Sequence, residues 1–263
     1  MRDEQTTTRG ARAYLSYIGI GLAAGILSGL FGVGGGTVIV PLLVLLLGFD
    51  QRRAAGTSLA AIVPIASVGV ISYAVSDSVA WIPALILALG AVVGAQIGTR
   101  LLPRMSQRTL LWGFVGFIAV VIVSLFLIVP SREAELDLTW MTGLVLVVVG
   151  VFTGILAGLI GVGGGIIVVP ALMLGMGVSD LVAKGTSLLM MIPTAVSGTV
   201  GNLRHKNVDL VAAACVGVSA CATTALGALF AARIDPFAGN VLFAVYLLYI
   251  GYQMARKAMR AKN

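Results

Sequence analysis

Charge is scarce in this chain, and acid is the scarcest. Its 263 residues hold ten Asp and Glu against seventeen Lys and Arg, one His and two Cys, and only 10% are charged. A soluble domain carries about 25% charged residues, so a water-exposed globule is excluded. One histidine cannot assemble a metal site, and His205 stands between Arg204 and Lys206 in the basic stretch "NLRHKN". Cys215 and Cys221 fall six apart inside an apolar run, where they read as packed small residues rather than a disulfide or metal pair. No Ser–His–Asp set, paired carboxylates or phosphate-binding lysine motif occurs. An enzyme is therefore not expected, nor a metal or other cofactor.

What remains is apolar. Hydrophobic residues make up 59% of the chain and the mean hydropathy is +1.07. Runs such as "WIPALILALGAVVGAQIGT" (Trp81 to Thr99) and "LLWGFVGFIAVVIVSLFLIVP" (Leu110 to Pro130) lack charge. They approach or exceed the roughly 20 residues a helix needs to cross hydrocarbon. The formal net charge of +7 does not indicate nucleic-acid binding, because the cations sit in short connectors and in the tail "RKAMRAKN". That placement fits the Lys/Arg excess of cytoplasmic loops.

"GLFGVGGGTVIVP" at Gly29 to Pro41 returns as "GLIGVGGGIIVVP" at Gly158 to Pro170, an offset of 129. The same offset carries Gly21 and Gly25 onto Gly150 and Gly154, "GTSL" at Gly56 onto "GTSL" at Gly185, and Pro64 onto Pro193. The chain therefore divides into a tail (1–13), a first transmembrane repeat (14–130), a linker (131–139), a second repeat (140–255) and a basic tail (256–263). Each repeat opens with two apolar pieces around the glycines, such as 14–30 and 37–47. Three longer segments follow: 56–76, 81–99 and 109–130 in one half, 185–202, 209–231 and 236–255 in the other.

Loop charges orient these segments. Arg100, Arg104 and Arg108, then Arg204 and Lys206, then the tail cations mark cytoplasmic connectors, while 131–139 with Glu133, Glu135 and Asp137 reads as external. All loops obey the rule only if each glycine unit returns to the side it came from, as a half-depth hairpin or as two full spans. Each half then has three net crossings. The expected fold is an all-α polytopic membrane protein of two inverted-topology repeats, each a glycine-tipped broken or re-entrant unit plus three transmembrane helices. Both termini are expected on the cytoplasmic side of the cell membrane.

Non-helical backbone at mid-membrane is tolerated only where protein or a watery cavity surrounds it. The tips Gly34, Gly35, Gly36 and Gly163, Gly164, Gly165 would place exposed N–H groups at the N-termini of short helices, a natural anion site. Thr57, Ser58, Thr186 and Ser187 either cap helices or donate hydroxyl hydrogen bonds to a ligand. Gln96 and Asn202 are the uncharged polar residues near segment interiors, as helix contacts or pathway groups. Gly21, Gly25, Gly29 and Gly150, Gly154, Gly158 form small-residue packing stripes. All ten acids, Asp180 and Asp209 included, map to termini or connectors in this layout. A site of neutral donors without a mid-membrane carboxylate favours a small anion over a cation or proton relay.

The doubled glycine motif, each copy followed by "GTSL", resembles the sulfite exporter TauE/SafE family of membrane permeases over about residues 17–255. The resemblance implies transport, often export, of sulfur-containing anions such as sulfite, sulfoacetate and other organosulfonates. It implies that the tip glycines and the Thr–Ser pairs flank the pathway. An anion channel and a non-transporting membrane scaffold stand as alternatives.

Overall fold

The computed structural model describes residues 10–127 and 139–260, so most of the expected tail 1–13 and external linker 131–139 falls outside the described residues. These form α1 (Ala11–Phe31), α2 (Gly36–Leu46), α3 (Gln51–Ala74), α4 (Trp81–Leu101), α5 (Gln107–Leu127), α6 (Trp140–Ile160), α7 (Gly165–Met176), α8 (Asp180–Arg204), α9 (Leu210–Ala231) and α10 (Pro236–Arg260). The described residues contain no strand. Six helices among them, α1, α3, α4, α6, α8 and α9, are long and apolar enough to cross a membrane. The five helices of each half correspond in order, α1–α5 to α6–α10.

Apolar surface faces outward. In α4, Ala84, Ala88, Ala91 and Ala95 are buried while Leu85, Leu89 and Val93 are exposed. Water would not tolerate so much exposed Leu and Val on one element. Lipid does, and the small residues inside let helices approach closely.

That approach joins the halves. Along α4, Gly90, Gly94 and Gly98 lie against the Val147, Val151 and Ile155 carbonyls of α6. In return Gly150, Gly154 and Gly158 of α6 lie against the Leu87, Ala91 and Ala95 carbonyls of α4. The equivalent pair is α1 with α9, where Gly21, Gly25 and Gly29 meet the Val216, Ala220 and Thr224 carbonyls. In both pairs residue numbers rise together, so the helices run parallel. Each glycine-bearing long helix is thus held by the opposite half. Between the two pairs, α3 packs on α8. A methyl on Gly69 would lie 2.7 Å from Leu188 and one on Gly198 would lie 2.8 Å from Leu59, so α3 and α8 run antiparallel.

Two helix starts differ from the sequence expectation. α3 begins at Gln51, not near Gly56, because the Asp50 carboxylate accepts from the Arg53 N–H at 3.0 Å and caps it. α8 begins at Asp180, not Gly185, with Ser179 accepting from Val182 at 3.4 Å. The "GTSL" residues therefore lie inside helices and do not cap their own. Asp180 is correspondingly no connector residue: it occupies the first turn of α8, only 2% exposed, and Asp209 at the start of α9 is 4% exposed. At the C-terminus, α10 continues past 255 to Arg260, because Lys257 Nζ reaches the Val44 carbonyl and ties the last turns to α2. Desolvation there holds the Lys257 amine below the usual lysine value.

The basic connectors gather at one end. Arg52 donates to the Met105 carbonyl, Arg53 pairs with Asp209 at 2.7 Å, and Lys257 meets α2 at its C-terminal half. At the other end, Gly185 abuts the Ser78 carbonyl and the Ala80 N–H donates to Thr186.

Close packing and open space make opposite demands on glycine. A methyl on Gly154 would collide with the Ala91 carbonyl, whereas one on Gly113 of α5 meets nothing within 4 Å. Gly154→Ala should cost about 1–3 kcal/mol through overpacking. Gly113→Ala should gain about 0.5–1 kcal/mol from reduced backbone entropy. Thermal unfolding in detergent checks both, and the two midpoints should move in opposite directions.

Candidate functional site

The glycine segments interrupt helices rather than link domains. α1 stops at Gly32, whose N–H donates to Ser28 at 2.8 Å, and α6 stops at Gly161, whose N–H donates to Ala157 at 2.8 Å. α2 and α7 then start from Gly35 (φ +77°) and Gly164 (φ +89°). A side chain in that left-handed region costs about 1–2 kcal/mol, which is why both positions read glycine. The first bonds of α2 run from the Val38 and Ile39 N–H groups to the Gly35 carbonyl, both at 2.9 Å. Ile167 and Val168 bond Gly164 in the same way at 3.1 and 3.2 Å. The preceding N–H groups, on Gly36 and Thr37 and on Gly165 and Ile166, have no intrahelical acceptor. At 11 residues, α2 is about 16 Å long, so each unit is a long helix followed by a half-length one.

The two turns converge on the same place. A methyl on Gly34 or on Gly163 would strike the Met191 Cε, and each would also come within 3.3 and 3.2 Å of Ile62. Ile62 and Met191 are themselves equivalent across the repeat, and both are fully buried. Gly36 abuts the opposite turn, where a methyl on it would lie 2.8 Å from the Gly161 carbonyl, and a methyl on Gly165 would lie 2.7 Å from the Gly32 carbonyl. Gly35 and Gly164 face away, toward Ala24 and Thr153 of their own long helices. The tips that were one cluster in the sequence thus divide by direction: Gly34 and Gly163 face the shared centre, and Gly36 and Gly165 brace turn against turn.

The hydroxyl pairs also divide. Thr57 accepts from the Asp209 N–H at 3.0 Å and Thr186 accepts from the Ala80 N–H at 2.9 Å. Each threonine thereby secures the first residue before a helix of the adjoining bundle, α9 or α4. Ser187 donates to the Gly32 carbonyl at 3.0 Å and lies 3.9 Å from the Met191 sulfur. Its counterpart Ser58 is fully buried and its Oγ has no hydrogen-bond partner. Gln96 donates to the Ser197 carbonyl and hydroxyl at 2.7 and 2.9 Å, joining α4 to α8. Asn202 donates to Gly198 within α8 and accepts from Asn207 at 3.5 Å.

Residues that sequence reasoning passed over, Gln51, Ile62, Lys184 and Met191 among them, join Ser58 and Ser187 in the arrangement. One face of α3 carries Gln51, Ala55, Ser58 and Ile62, and the matching face of α8 carries Asp180, Lys184, Ser187 and Met191. Both stripes run from a helix start to the central Ile62–Met191 contact. Gln51 Nε2 and Oε1, Ser58 Oγ and Asp180 Oδ1 are buried without a hydrogen-bond partner. Buried polar atoms are ordinarily paired; among the described residues, four of the six unpartnered side-chain atoms lie on these two stripes, the other two being Ser28 Oγ and Thr199 Oγ1. The 4–3–4 spacing was visible in the sequence, but it was obscured by placing both helix starts several residues too late.

Gln51 offers a direct test of that polarity. If the stripe is dry, Gln51→Met removes an unpaired buried amide and should stabilise the protein by about 1–3 kcal/mol. The unfolding midpoint in detergent should rise; an unchanged midpoint would mean that the amide is already solvated along the stripe.

Residues 2–125 and 146–263 match the family described as sulfite exporter TauE/SafE. A probable membrane transporter protein of Xylella fastidiosa is 31% identical over 223 residues, which span 83% of this chain and 85% of that one. The probable membrane transporter protein YdhB of Bacillus subtilis is 28% identical over 209 residues, 78% of this chain and 85% of its own. A shorter match, 36% identical over 100 residues, links 37% of this chain to 37% of the B. subtilis probable membrane transporter protein YunE. No solved structure matches. Both glycine units and both α3/α8 stripes fall within the matched residues, and the chain belongs to the sulfite exporter TauE/SafE family of membrane proteins.

Proposed function

We propose that this membrane transporter carries a small sulfur-containing anion, such as sulfite, sulfoacetate or a related organosulfonate, by alternating access between two inverted-topology repeats. The observation that carries this reading is the convergence of Gly34 and Gly163 on Ile62 and Met191. Two half-length helices begin there, so two positive dipole ends and the N–H groups of their first turns, which have no intrahelical acceptor, share one locus. A negative solute offsets that like-signed field, and a cation worsens it. The antiparallel course of the equivalent helices α3 and α8 supports the inverted repeat. The gathering of basic connectors at one end supports cytoplasmic termini in the cell membrane.

Ile62 and Met191 fill the centre between the two turns, as in an occluded state. Rocking of one α3/α8 stripe against the other would open Gly34, Gly35, Gly36, Thr57 and Ser58 toward one side. It would open Gly163, Gly164, Gly165, Thr186 and Ser187 toward the other. The flexible thioether of Met191 suits a residue that must move aside. Export follows from the description of the family, and for a monoanion leaving an inside-negative cell the potential contributes about 2.3 kcal/mol per 100 mV.

Proteoliposomes offered sulfite, sulfoacetate, thiosulfate, sulfate, taurine and an unrelated carboxylate should show saturable flux and counterflow for a sulfur anion. Flux without counterflow would point to a channel, and none at all to a scaffold. Gly34→Ala and Gly163→Ala put a methyl against the mobile end of Met191, at positions whose φ of +71° and +80° adds about 1–2 kcal/mol of backbone strain. They should weaken anion binding by about ten- to a hundredfold while the purified variants keep the wild-type elution profile. Single-cysteine labelling in a background without Cys215 and Cys221 tests the orientation: a cysteine at Gln107 should react only from the cytoplasmic side.

A further inference from the structure

The two stripes are equivalent in position but not in charge. Where α3 has Gln51 and Ala55, α8 has Asp180 and Lys184. Asp180 is 2% exposed, and its Oδ2 meets the Lys184 ammonium at 3.3 Å. Its Oδ1, equally buried, has no hydrogen-bond partner. The Lys184 side chain is only 13% exposed, and the start of its stem would lie 2.7 Å from a methyl on Gly32, against the α1–α2 turn. One helical turn deeper, Ser187 donates to that same Gly32 carbonyl. A cation, a hydroxyl and the glycine turn thus follow one another along α8 toward the centre.

Resting on the anion reading above, we infer that Lys184 is an anion-binding residue of the transport path, with Asp180 as the exchangeable counter-ion that a sulfonate or sulfite group displaces. Exchange keeps the ammonium paired throughout, since a buried charge is tolerated only with a partner. The carboxylate can give up Lys184 because it sits in the first turn of α8, where the helix dipole favours negative charge. The anion then lies beside Ser187 and the Gly32 turn, next to the central Met191. The uncharged counterparts Gln51 and Ala55 make this binding step belong to one end of the path only.

The test is anion titration of detergent-purified protein with sulfoacetate, sulfite and sulfate as probes, alongside the wild type. Lys184→Met should lose about tenfold or more in affinity, and Lys184→Arg should restore part of it. Asp180→Asn should bind several-fold more tightly, because the competing carboxylate is gone. The double variant Asp180→Gln, Lys184→Ala reproduces the pair that α3 already accommodates, so it should fold normally and bind like Lys184→Met. Opposite movement of Lys184→Met and Asp180→Asn is the signature, since a merely structural ion pair would weaken both alike. Wild-type affinity in Lys184→Met, or parallel losses in both single variants, would overturn the inference while leaving the anion reading intact. Failure of the wild type to bind any of the three probes would overturn both.

Discussion

A backbone amide in hydrocarbon must find its partner within the protein, and two stretches of this chain, Gly32–Gly35 and Gly161–Gly164, leave the helix inside the transmembrane bundle. Neither can face lipid. Each is therefore buried against the other, with Gly36 on the Gly161 carbonyl and Gly165 on the Gly32 carbonyl. The halves interlock as a result: α1 is gripped by α9 and α6 by α4, so that both turns are held at one place. Glycine and alanine faces make the grip possible, because van der Waals contact between backbones replaces the hydrophobic drive that lipid removes.

That constraint shapes the chemistry of the centre. A side chain on Gly34 or Gly163 would fill the meeting point, so the available polar groups there are backbone N–H groups at helix starts and hydroxyls such as Ser58 and Ser187. The starts of α2 and α7 bring partial positive charge there without any formal charge, beside the Gly32 and Gly161 carbonyls. The side chains that close the centre, Ile62 and Met191, have no hydrogen-bonding group that competes strongly for the amides. Formal charge enters only toward the ends, as Arg53–Asp209 at one and Asp180–Lys184 at the other. The first pair holds the starts of α3 and α9 together across the halves, whereas the second lies within a single turn of α8 beside the glycine segment.

Legibility varied with how local each requirement was. The break after α1 was readable because Gly35 and Gly164 answer a demand of their own backbone, a positive φ. The α4 stripe of Gly90, Gly94 and Gly98 repeats the spacing of Gly150, Gly154 and Gly158, yet its partner could not be named from spacing alone. On α9 the same packing role falls to Ala220 and Thr224 as well as Gly227, which dilutes the pattern. The starts of α3 and α8 were misplaced because Asp50 and Ser179 lie in polar stretches that resemble connectors, although each caps a helix. Asp180 was assigned to a loop for the same reason, and with it the one buried acid–base pair on α8 was missed.

The amino-acid sequence by itself determined that this is a helical membrane protein, that it is built twice, and where each half breaks its helix. Hydropathy, repetition and glycine conformation are properties of residues and their near neighbours, and they hold whatever packs against them. Only the tertiary structure decided that each broken helix belongs to the bundle of the other half, and that Gly34 and Gly163 share Ile62 and Met191. It also decided that Thr57 and Thr186 serve the neighbouring helices α9 and α4, and that Lys184 lies against the Gly32 turn. Those relations join residues more than a hundred positions apart, and they arise from surface shape and carbonyl placement, which no spacing within one helix encodes.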